Sequence, residues 1–366
     1  MTTKAPPELS VIVPTFNERG NIGNVVRAIG EALENVEWEV IFVDDDSSDA
    51  TAELARELAR SDGRVRCLHR IGRRGLSTAV VEGMLSSSAP YLAVMDGDLQ
   101  HDEKLLPHML KILKEKTIDI AIGSRYVQGG GVGSWDTKRE RISRFATRLS
   151  RLAIKAELCD PMSGFFMVKR DVFERAVRNL SGLGFKILID IFASSPKPLQ
   201  FEELPYQFRT RSAGESKLDA QAAWDYGMLI LDKTIGKYVP VRFISFALIG
   251  GCGIGVHLLV FSMLYKLMIL DFPTAQAAAT LIAMVSNFAL NNEITYRDIK
   301  LKGMGWVKGL VSFIAACSVG AFANVGIASY LFSQDIGWLP AALAGILVGA
   351  VWNYAVTLIY TWKSRS

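Results

Sequence analysis

Cysteine is scarce in this chain, and its positions do not pair. The four cysteines stand at positions 67, 159, 252 and 317, with no C-x-x-C motif among them. Neither a disulfide framework nor a zinc site is therefore expected. The first residues also lack the apolar core of a signal peptide, so we expect the soluble part of the chain to stay in the cytoplasm.

A large charge of either sign is missing as well. The 41 basic and 37 acidic residues leave a formal net charge of +4 over 366 residues, which gives no reason to expect a nucleic-acid partner. The chain is long enough for two domains that each bury a core. Half of its residues are hydrophobic and its mean hydropathy is +0.22, which is unusual for a purely soluble enzyme.

Charged residues are absent from four long stretches of the C-terminal third, at 243–265, 272–292, 309–332 and 336–362. A helix needs about 20 apolar residues to cross a bilayer. The sequence therefore predicts an all-α transmembrane domain of four helices over residues 241–366. A set of buried helices in a soluble core is the alternative, and four consecutive stretches of this length disfavour it. Gly251, Gly255, Gly345 and Gly349 have the spacing that allows helices to approach closely.

Basic residues flank these stretches unevenly. They precede the first stretch, lie between the second and third, and follow the fourth, at Lys233, Lys237, Arg242, Arg297, Lys300, Lys302, Lys308, Lys363 and Arg365. Positive residues stay on the cytosolic side of a membrane. We therefore expect an integral protein of the cytoplasmic membrane, with the N-terminal domain and both termini cytosolic.

Short apolar runs alternate with helical patterns between residues 10 and 125. The runs predict strands at 10–13, 40–43, 65–68, 91–95 and 118–122, with helices between them, for example at 50–60 and 76–86. This alternation predicts an α/β domain with a mostly parallel, Rossmann-like sheet. Ligands of such a sheet bind beyond the carboxyl ends of its strands.

A G-x-G-x-x-G loop is missing after the first predicted strand, which excludes a dinucleotide-dependent oxidoreductase. Pro14-Thr15-Phe16-Asn17-Glu18 stands there instead, and later strands end in Asp44-Asp45-Asp46 and in Asp96-Gly97-Asp98-Leu99-Gln100-His101. Carboxylates gathered at one sheet edge repel one another unless a cation lies among them. Mg²⁺ or Mn²⁺ with oxygen ligands, carrying a diphosphate, meets that need.

In this order the motifs resemble those of the inverting glycosyltransferases of family two, which have the GT-A fold. More narrowly, residues 8–235 are similar to the dolichyl/polyprenyl-phosphate mannose synthases and the related polyprenyl-phosphate glucosyltransferases. The narrower similarity rests on the Asp96 motif and on Gly123-Ser124-Arg125-Tyr126, Ser163-Gly164-Phe165-Phe166 and Arg211-Ser212-Ala213-Gly214-Glu215-Ser216-Lys217. Gly97 stands where the family usually has alanine, which removes no ligand. The domains expected are a GT-A domain at 1–217, an interfacial amphipathic segment at 218–240 and the membrane domain at 241–366.

The resemblance implies roles for the residues at the strand ends. The residues expected to hold the base and ribose of the nucleotide-sugar donor are Pro14, Phe16, Glu18 and Asp44. Asp96 and Asp98 are expected beside the donor phosphates, and the expected metal ligands are Asp98, Gln100 and Asp96. Asp45 and Asp46 either contact the nucleotide or cap the following helix, and His101 either contacts substrate or packs in the core.

The acceptor end of the site is expected to be basic. By resemblance, Arg125, Arg139 and Ser143 bind the lipid phosphate, while Arg211, Ser216 and Lys217 lie in a segment that closes over the phosphates. The planar guanidinium fork suits phosphate oxygens. Residues 137–155 are basic and amphipathic, a pattern suited to an anionic membrane surface. The catalytic residues expected are Asp98, Arg125, Arg211 and Lys217.

The reaction implied is transfer of one sugar to polyprenyl phosphate, with inversion, from GDP-mannose or alternatively UDP-glucose. A phosphate acceptor, with a second pKa of about 6, is already anionic at neutral pH, so it needs no strong general base. Asp98 is the nearest candidate if a base acts. A processive polysaccharide synthase is disfavoured because the chain has no Arg-Trp dipeptide. A flippase or transporter of lipid-linked sugar is disfavoured because the predicted spans lack charged residues.

Overall fold

The computed structural model describes residues 6–133, 145–209, 220–267 and 270–362. The chain forms two compact units, Met1–Lys237 and Tyr238–Ser366. They are called the N-terminal and the C-terminal unit below.

A seven-stranded sheet runs through the described part of the N-terminal unit. Its strands are β1 Leu9–Thr15, β2 Trp38–Asp44, β3 Val65–His69, β4 Tyr91–Val94, β5 Ile120–Ser124, β6 Phe166–Lys169 and β7 Phe201–Pro205. They lie in the order β3-β2-β1-β4-β6-β5-β7. Strand β6 is antiparallel to β4 and β5, and the other pairs are parallel. The prediction of a mostly parallel α/β sheet is confirmed, and the five predicted strands are β1 to β5.

Helices cover both faces of this sheet. They are α1 Arg19–Ala32, α2 Thr51–Ser61, α3 Leu76–Ser86, α4 Leu106–Glu115, α5 Arg170–Ala176, α6 Ile187–Ser194 and α7 Ala220–Ile235. Successive residues of a strand point to opposite faces, and Val11 and Val13 join one core cluster while Ile12 joins the other. Because both faces are buried, the central strands carry continuous apolar runs, 11–13 in β1 and 40–43 in β2, instead of alternating with polar residues.

The segment 218–240, predicted to be interfacial, contains helix α7. One face of α7 packs into the N-terminal unit, where Tyr226 is buried in the core. On the same helix, Lys233 Nζ lies 2.7 Å from the fully buried carboxylate of Asp190. A buried charge needs such a partner, so α7 is fixed to this unit, and its contact with a membrane stays a prediction.

The C-terminal unit is helical. Its helices are α8 Val241–Lys266, α9 Phe272–Leu290, α10 Met304–Ser333 and α11 Trp338–Val356, and π-helical turns follow α9 at Asn291–Thr295 and α11 at Thr357–Thr361. Within the described ranges, three helices are long and apolar enough to cross a membrane, Val241–Lys266, Met304–Ser333 and Leu339–Thr361. Helix α9 is 19 residues long, but polar residues such as Gln276 and Asn287 reduce its hydropathy. A membrane protein is therefore confirmed, and the fourth span stays a prediction.

Two of the four glycines predicted to allow close helix packing do so. Gly345 and Gly349 of α11 lie against Asn324 of α10. For Gly251 and Gly255 the prediction is wrong, because a Cβ at either would meet nothing within 4 Å in the described part of the chain.

Candidate functional site

Asp44, at the end of β2, is held by neighbours on two strand ends. Its fully buried carboxylate accepts hydrogen bonds from the backbone N–H of Ser47 at 3.0 Å, from the Ser47 hydroxyl at 2.6 Å and from the Thr15 hydroxyl at 3.3 Å. Asn17, with a left-handed φ of 57°, accepts from the N–H of Ser48 at 3.0 Å. These bonds join the ends of β1 and β2 into one surface. It carries the residues predicted to hold the nucleoside and is called the nucleoside wall below.

The three other residues expected to hold the nucleoside lie along β1 and just after it. Pro14 is half-buried within the strand. The Glu18 carboxylate accepts from the Asn21 side-chain amide at 2.7 Å. The ring of Phe16 has the guanidinium of Arg74 over one face, 4.2 Å from its centroid. Sequence reasoning did not single out Arg74, which lies on a different loop.

Asp45 and Asp46 brace the loop that carries Arg74. Asp45 pairs with buried Arg70 at 2.6 Å and accepts from the N–H of Gly75 at 2.6 Å. Asp46 accepts from the N–H of Gly72 at 3.2 Å. Burial raises the pKa of Asp45 above its usual value, although Gly75 and Arg70 oppose the change. The loop is therefore tied to the end of β2.

Helix α2 begins after its N-cap residue Ala50, and the carboxylate that binds its first N–H group belongs to Asp49 and not to the two residues proposed from the sequence. Asp49 accepts hydrogen bonds from the N–H of Thr51 and from the N–H of Arg19, both at 3.1 Å. The alternative that Asp45 and Asp46 cap this helix is therefore wrong. Asp49 links the beginnings of α1 and α2, next to the nucleoside wall.

The loop after β4 presents the two carboxylates of the Asp-x-Asp motif. Asp98 is only 4% exposed, and its Oδ1 accepts from the N–H of Gln100 at 3.1 Å. The Asp96 side chain is 39% exposed. A Cβ at Gly97 would lie 3.4 Å from Thr15, so this loop packs directly on the end of β1. The structure thus brings the predicted metal ligands beside the predicted nucleoside wall.

His101 packs in an aromatic cluster beneath this loop. Its ring stacks on Phe165 at 5.1 Å between centroids and meets the edges of Tyr206 and Phe208 at 5.8 Å. Its Nδ1 accepts the N–H of Asp96 at 3.1 Å. Burial lowers the pKa of His101 despite nearby carboxylates, so the ring is neutral at pH 7. These contacts favour the packing alternative, and His101 also holds the backbone of Asp96.

Arg125, at the end of β5, is paired with Asp160, which the sequence reasoning missed. Its Nε and Nη2 donate to the two oxygens of Asp160, each at 2.7 Å, and its N–H donates to the same carboxylate at 3.1 Å. Asp160 is fully buried. Burial lowers the pKa of Arg125, but the bonds to Asp160 outweigh it, and the pKa is raised. Glu203 in turn accepts the N–H groups of Cys159 and Asp160 at 2.7 and 2.9 Å.

Gln100 is tied to the chain that follows β7. Its side-chain amide donates to the backbone oxygen of Arg209 at 2.9 Å, and the N–H of Arg209 donates back to Gln100 at 3.0 Å. The Arg209 guanidinium contacts Glu103 and Asp102, each at 2.8 Å. Because Nε2 of Gln100 donates to the Arg209 oxygen, the Oε1 of Gln100 is the atom suited to bind a cation.

Five residues with predicted roles lie outside the described part of the chain. They are Arg139, Ser143, Arg211, Ser216 and Lys217. Their roles stay predictions.

The donor atoms around Asp98 fit a divalent cation that is bound together with a nucleotide. Two carboxylates and an amide oxygen are the hard ligands that Mg²⁺ or Mn²⁺ prefers. Over the described ranges, no three His, Cys, Asp or Glu side chains converge as a cage for a metal. The remaining ligands would have to be phosphate or water oxygens, as is usual for Mg²⁺ at nucleotide sites.

The chain matches two known families in succession. Residues 10–176 match Glycosyl transferase family 2, and residues 245–362 match the GtrA/DPMS transmembrane domain. A dolichol-phosphate mannosyltransferase of Pyrococcus furiosus is 35% identical over 98% of this chain and 100% of its own length. One from Saccharomyces cerevisiae is 34% identical over 65% of this chain and 91% of its own. A solved structure of glucosyl-3-phosphoglycerate synthase from Mycobacterium tuberculosis, in complex with Mn²⁺, UDP and glucosyl-3-phosphoglycerate, aligns at 18% identity and a TM-score of 0.46, covering 63% of this chain and 81% of that one.

The sheet, its strand-end carboxylates, the two family matches and the mannosyltransferase relatives define a glycosyltransferase with a membrane domain. The chain belongs to the dolichol-phosphate mannosyltransferase family.

Proposed function

We propose that this enzyme transfers one mannose from GDP-mannose to a polyprenyl or dolichyl phosphate, with inversion, at the cytosolic face of the membrane. The observation that carries this proposal is the Asp98 loop, a buried carboxylate placed against the nucleoside wall at the sheet edge. The names of the relatives support mannose and dolichyl phosphate, and the distribution of basic residues supports the orientation.

In this proposal the donor nucleoside lies along β1 and β2, with its diphosphate beside Asp96 and Asp98. The residues that would hold a Mg²⁺ or Mn²⁺ ion are Asp98, Gln100 and Asp96. When bound, the ion neutralises negative charge on the departing nucleoside diphosphate. Asp98 and Asp96 would hold the diphosphate only through that ion, because two carboxylates alone repel it. The N–H of Gln100 fixes the Asp98 carboxylate, and His101 holds the backbone of Asp96.

An oxygen of the acceptor phosphate forms the new bond to the anomeric carbon as the bond from that carbon to the diphosphate breaks. The acceptor gives up no proton, because it is already anionic. Arg125 is proposed, by resemblance, to contact this phosphate. Arg139, Ser143, Arg211 and Lys217 are proposed, by resemblance, to complete the phosphate site.

The direct test offers purified full-length protein a panel of radiolabelled nucleotide sugars, with a polyprenyl phosphate and Mg²⁺ or Mn²⁺. We expect label in the organic phase with GDP-mannose, and none when the metal is removed by a chelator. Label from UDP-glucose alone would overturn the choice of sugar. No label with any donor would overturn the proposed activity.

Arg74 gives a prediction about donor binding. Unlike Arg70 and Arg73, which pair with Asp45 and Glu82, Arg74 shows no ion pair with any described residue. Its guanidinium over Phe16 can cover a nucleobase stacked there or contact the diphosphate. We expect Arg74→Ala to weaken GDP binding about tenfold, which corresponds to about 1.4 kcal/mol.

Calorimetric titration of GDP in the presence of Mn²⁺ measures this effect. Arg73→Ala is the matched control, since it removes an arginine from the same loop, and its affinity should equal that of the parent. An unchanged affinity in Arg74→Ala would place the nucleoside elsewhere.

A further inference from the structure

The two helical hairpins of the C-terminal unit carry identical residues at several equivalent places. The first hairpin is α8, α9 and the π-helical turn Asn291–Thr295, and the second is α10, α11 and the turn Thr357–Thr361. Moving α8 by 67 positions onto α10 superimposes identical residues at five places. These pairs are Ser245/Ser312, Phe246/Phe313, Gly253/Gly320, Ser262/Ser329 and Leu264/Leu331.

The second helices of the hairpins match as well, with a shift of 66. The sequence Asn287-Phe288-Ala289-Leu290 corresponds to Asn353-Tyr354-Ala355-Val356, and each is followed by a five-residue π-helical turn. Each turn ends in threonine and is followed by an aromatic residue, Tyr296 or Trp362. A π-helical turn is rare, so its recurrence at the same register is strong support for a repeat.

The same contacts also hold each hairpin together. The hydroxyl pair Ser245 and Thr295 lies at 2.6 Å in the first, and the pair Ser312 and Thr361 at 3.0 Å in the second. Close packing repeats too. A Cβ at Gly253 would overlap the Asn287 amide, and one at Gly320 would overlap the Asn353 amide. Among the described residues, both of these asparagines have a buried side-chain oxygen without a hydrogen-bond partner.

The hairpins contact each other as the two halves of a homodimer do. Equivalent residues meet directly, with Phe246 and Phe313 at 6.4 Å and Tyr296 and Trp362 at 4.1 Å between ring centroids. One further pair of contacts is reciprocal. Phe246 meets Tyr354 at 5.8 Å, and its counterpart Phe313 meets Phe288, the counterpart of Tyr354, at 5.6 Å. Such reciprocity is the mark of a two-fold axis.

We propose that the C-terminal unit is a tandem duplication of one helical hairpin, and that its two copies pack about an approximate two-fold axis. The surface that each copy presents to the other fits a second copy of the same hairpin. Because α11 is apolar and long enough to cross a membrane, its counterpart α9 crosses as well. Each hairpin then begins and ends on the same side of the bilayer.

The two hairpins differ in sequence next to the segment that connects them. Asn292 accepts from the N–H of Leu301 at 2.9 Å and from the Trp362 indole at 3.0 Å, and it donates to the Leu301 oxygen at 3.2 Å. Its counterpart in the second copy is Leu358. The asymmetry therefore falls at the connection between the copies, which only the first copy has.

Single-cysteine labelling tests the repeated topology. Full-length protein with its four native cysteines replaced by serine would carry one new cysteine, at Asp271, Asp335 or Lys302, and would be treated with an impermeant maleimide in sealed vesicles of known orientation. We expect Asp271→Cys and Asp335→Cys to react from one side and Lys302→Cys from the other. Reaction of Asp271→Cys on the same side as Lys302→Cys would overturn the duplication.

Matched glycine variants test the repeated packing. Gly253→Val and Gly320→Val should each lower the melting temperature of the C-terminal unit in detergent by a similar amount, about 5 °C or more. Gly250→Val and Gly326→Val are the controls, since a Cβ at either position meets nothing within 4 Å among the described residues. A loss in only one of the two copies would contradict the proposal.

An exchange variant covers the case in which the valine variants do not fold. The double substitution Phe288→Tyr and Tyr354→Phe moves each ring into the environment of its counterpart. We expect it to melt no lower than the less stable of the two single variants. A lower melting temperature than both would show that the two positions are not equivalent.

Discussion

Asp98→Asn is expected to lower the rate of sugar transfer by about 10²–10³-fold, while the protein folds normally. Asparagine has nearly the shape of aspartate and can still accept the hydrogen bond that Gln100 donates to Asp98. What it removes is the negative charge of a carboxylate that is only 4% exposed. In the proposed site, a divalent cation and the diphosphate it carries would lose their main anchor without that charge.

Two measurements separate this explanation from a general loss of structure. Transfer of radiolabelled mannose to polyprenyl phosphate gives the rate, and calorimetry with and without Mn²⁺ gives the part of GDP binding that depends on metal. We expect Asp98→Asn to lose that metal-dependent part. Asp119→Asn, which removes the same charge at the opposite edge of the sheet, is the control. An Asp98→Asn enzyme that works at the parental rate would remove the basis of the proposed function.

Asp160→Leu is expected to reduce the free energy of unfolding of the N-terminal unit by about 3–5 kcal/mol, because it removes the carboxylate that pairs with the buried guanidinium of Arg125. The pair is bidentate, and side-chain exposures of 9% for Arg125 and 0% for Asp160 keep it from water. Chemical unfolding of the single variant, followed by a probe in the N-terminal unit, measures the loss.

The double variant Arg125→Met with Asp160→Leu distinguishes the structural role of Arg125 from its proposed role at the acceptor phosphate. Removing both charges should recover most of the lost stability, since a buried ion pair contributes little net free energy compared with apolar residues of similar size. We expect transfer activity to stay low in the double variant. Recovery of activity together with stability would show that Arg125 serves only the fold.

The sequence predicted β1 to β5 because each combines a short apolar run with polar residues at its end. It did not predict β6, Phe166–Lys169. That strand is four residues long and directly follows the Ser163-Gly164-Phe165 motif, which has no periodicity of its own. Its direction depends on pairing with β4 and β5, which local pattern does not encode.

Asp160 shows why the predicted site was incomplete. Its partner Arg125 is 35 positions away in the chain, and an ion pair over that distance leaves no spacing to recognise. The only signal in the sequence was an acidic residue just before Ser163-Gly164-Phe165. Asp45, by contrast, stands in a sequence position typical of a helix cap. In the structure its carboxylate binds Arg70 and the N–H of Gly75 instead of capping the helix.

The reversed direction of β6 has a practical consequence for modifying the enzyme. Among the described strands, β6 alone is antiparallel to its neighbours, so it begins at the edge where β4 and β5 end. Ser163, just before β6, therefore lies at the same edge of the sheet as the carboxyl ends of β1, β2, β4 and β5. Turns at the other edge, such as the exposed residues 196–198 before β7, take no part in the proposed chemistry. Exposed turns of this kind tolerate insertions best, so an affinity tag or a fluorescent reporter built in at 196–198 should leave sugar transfer intact.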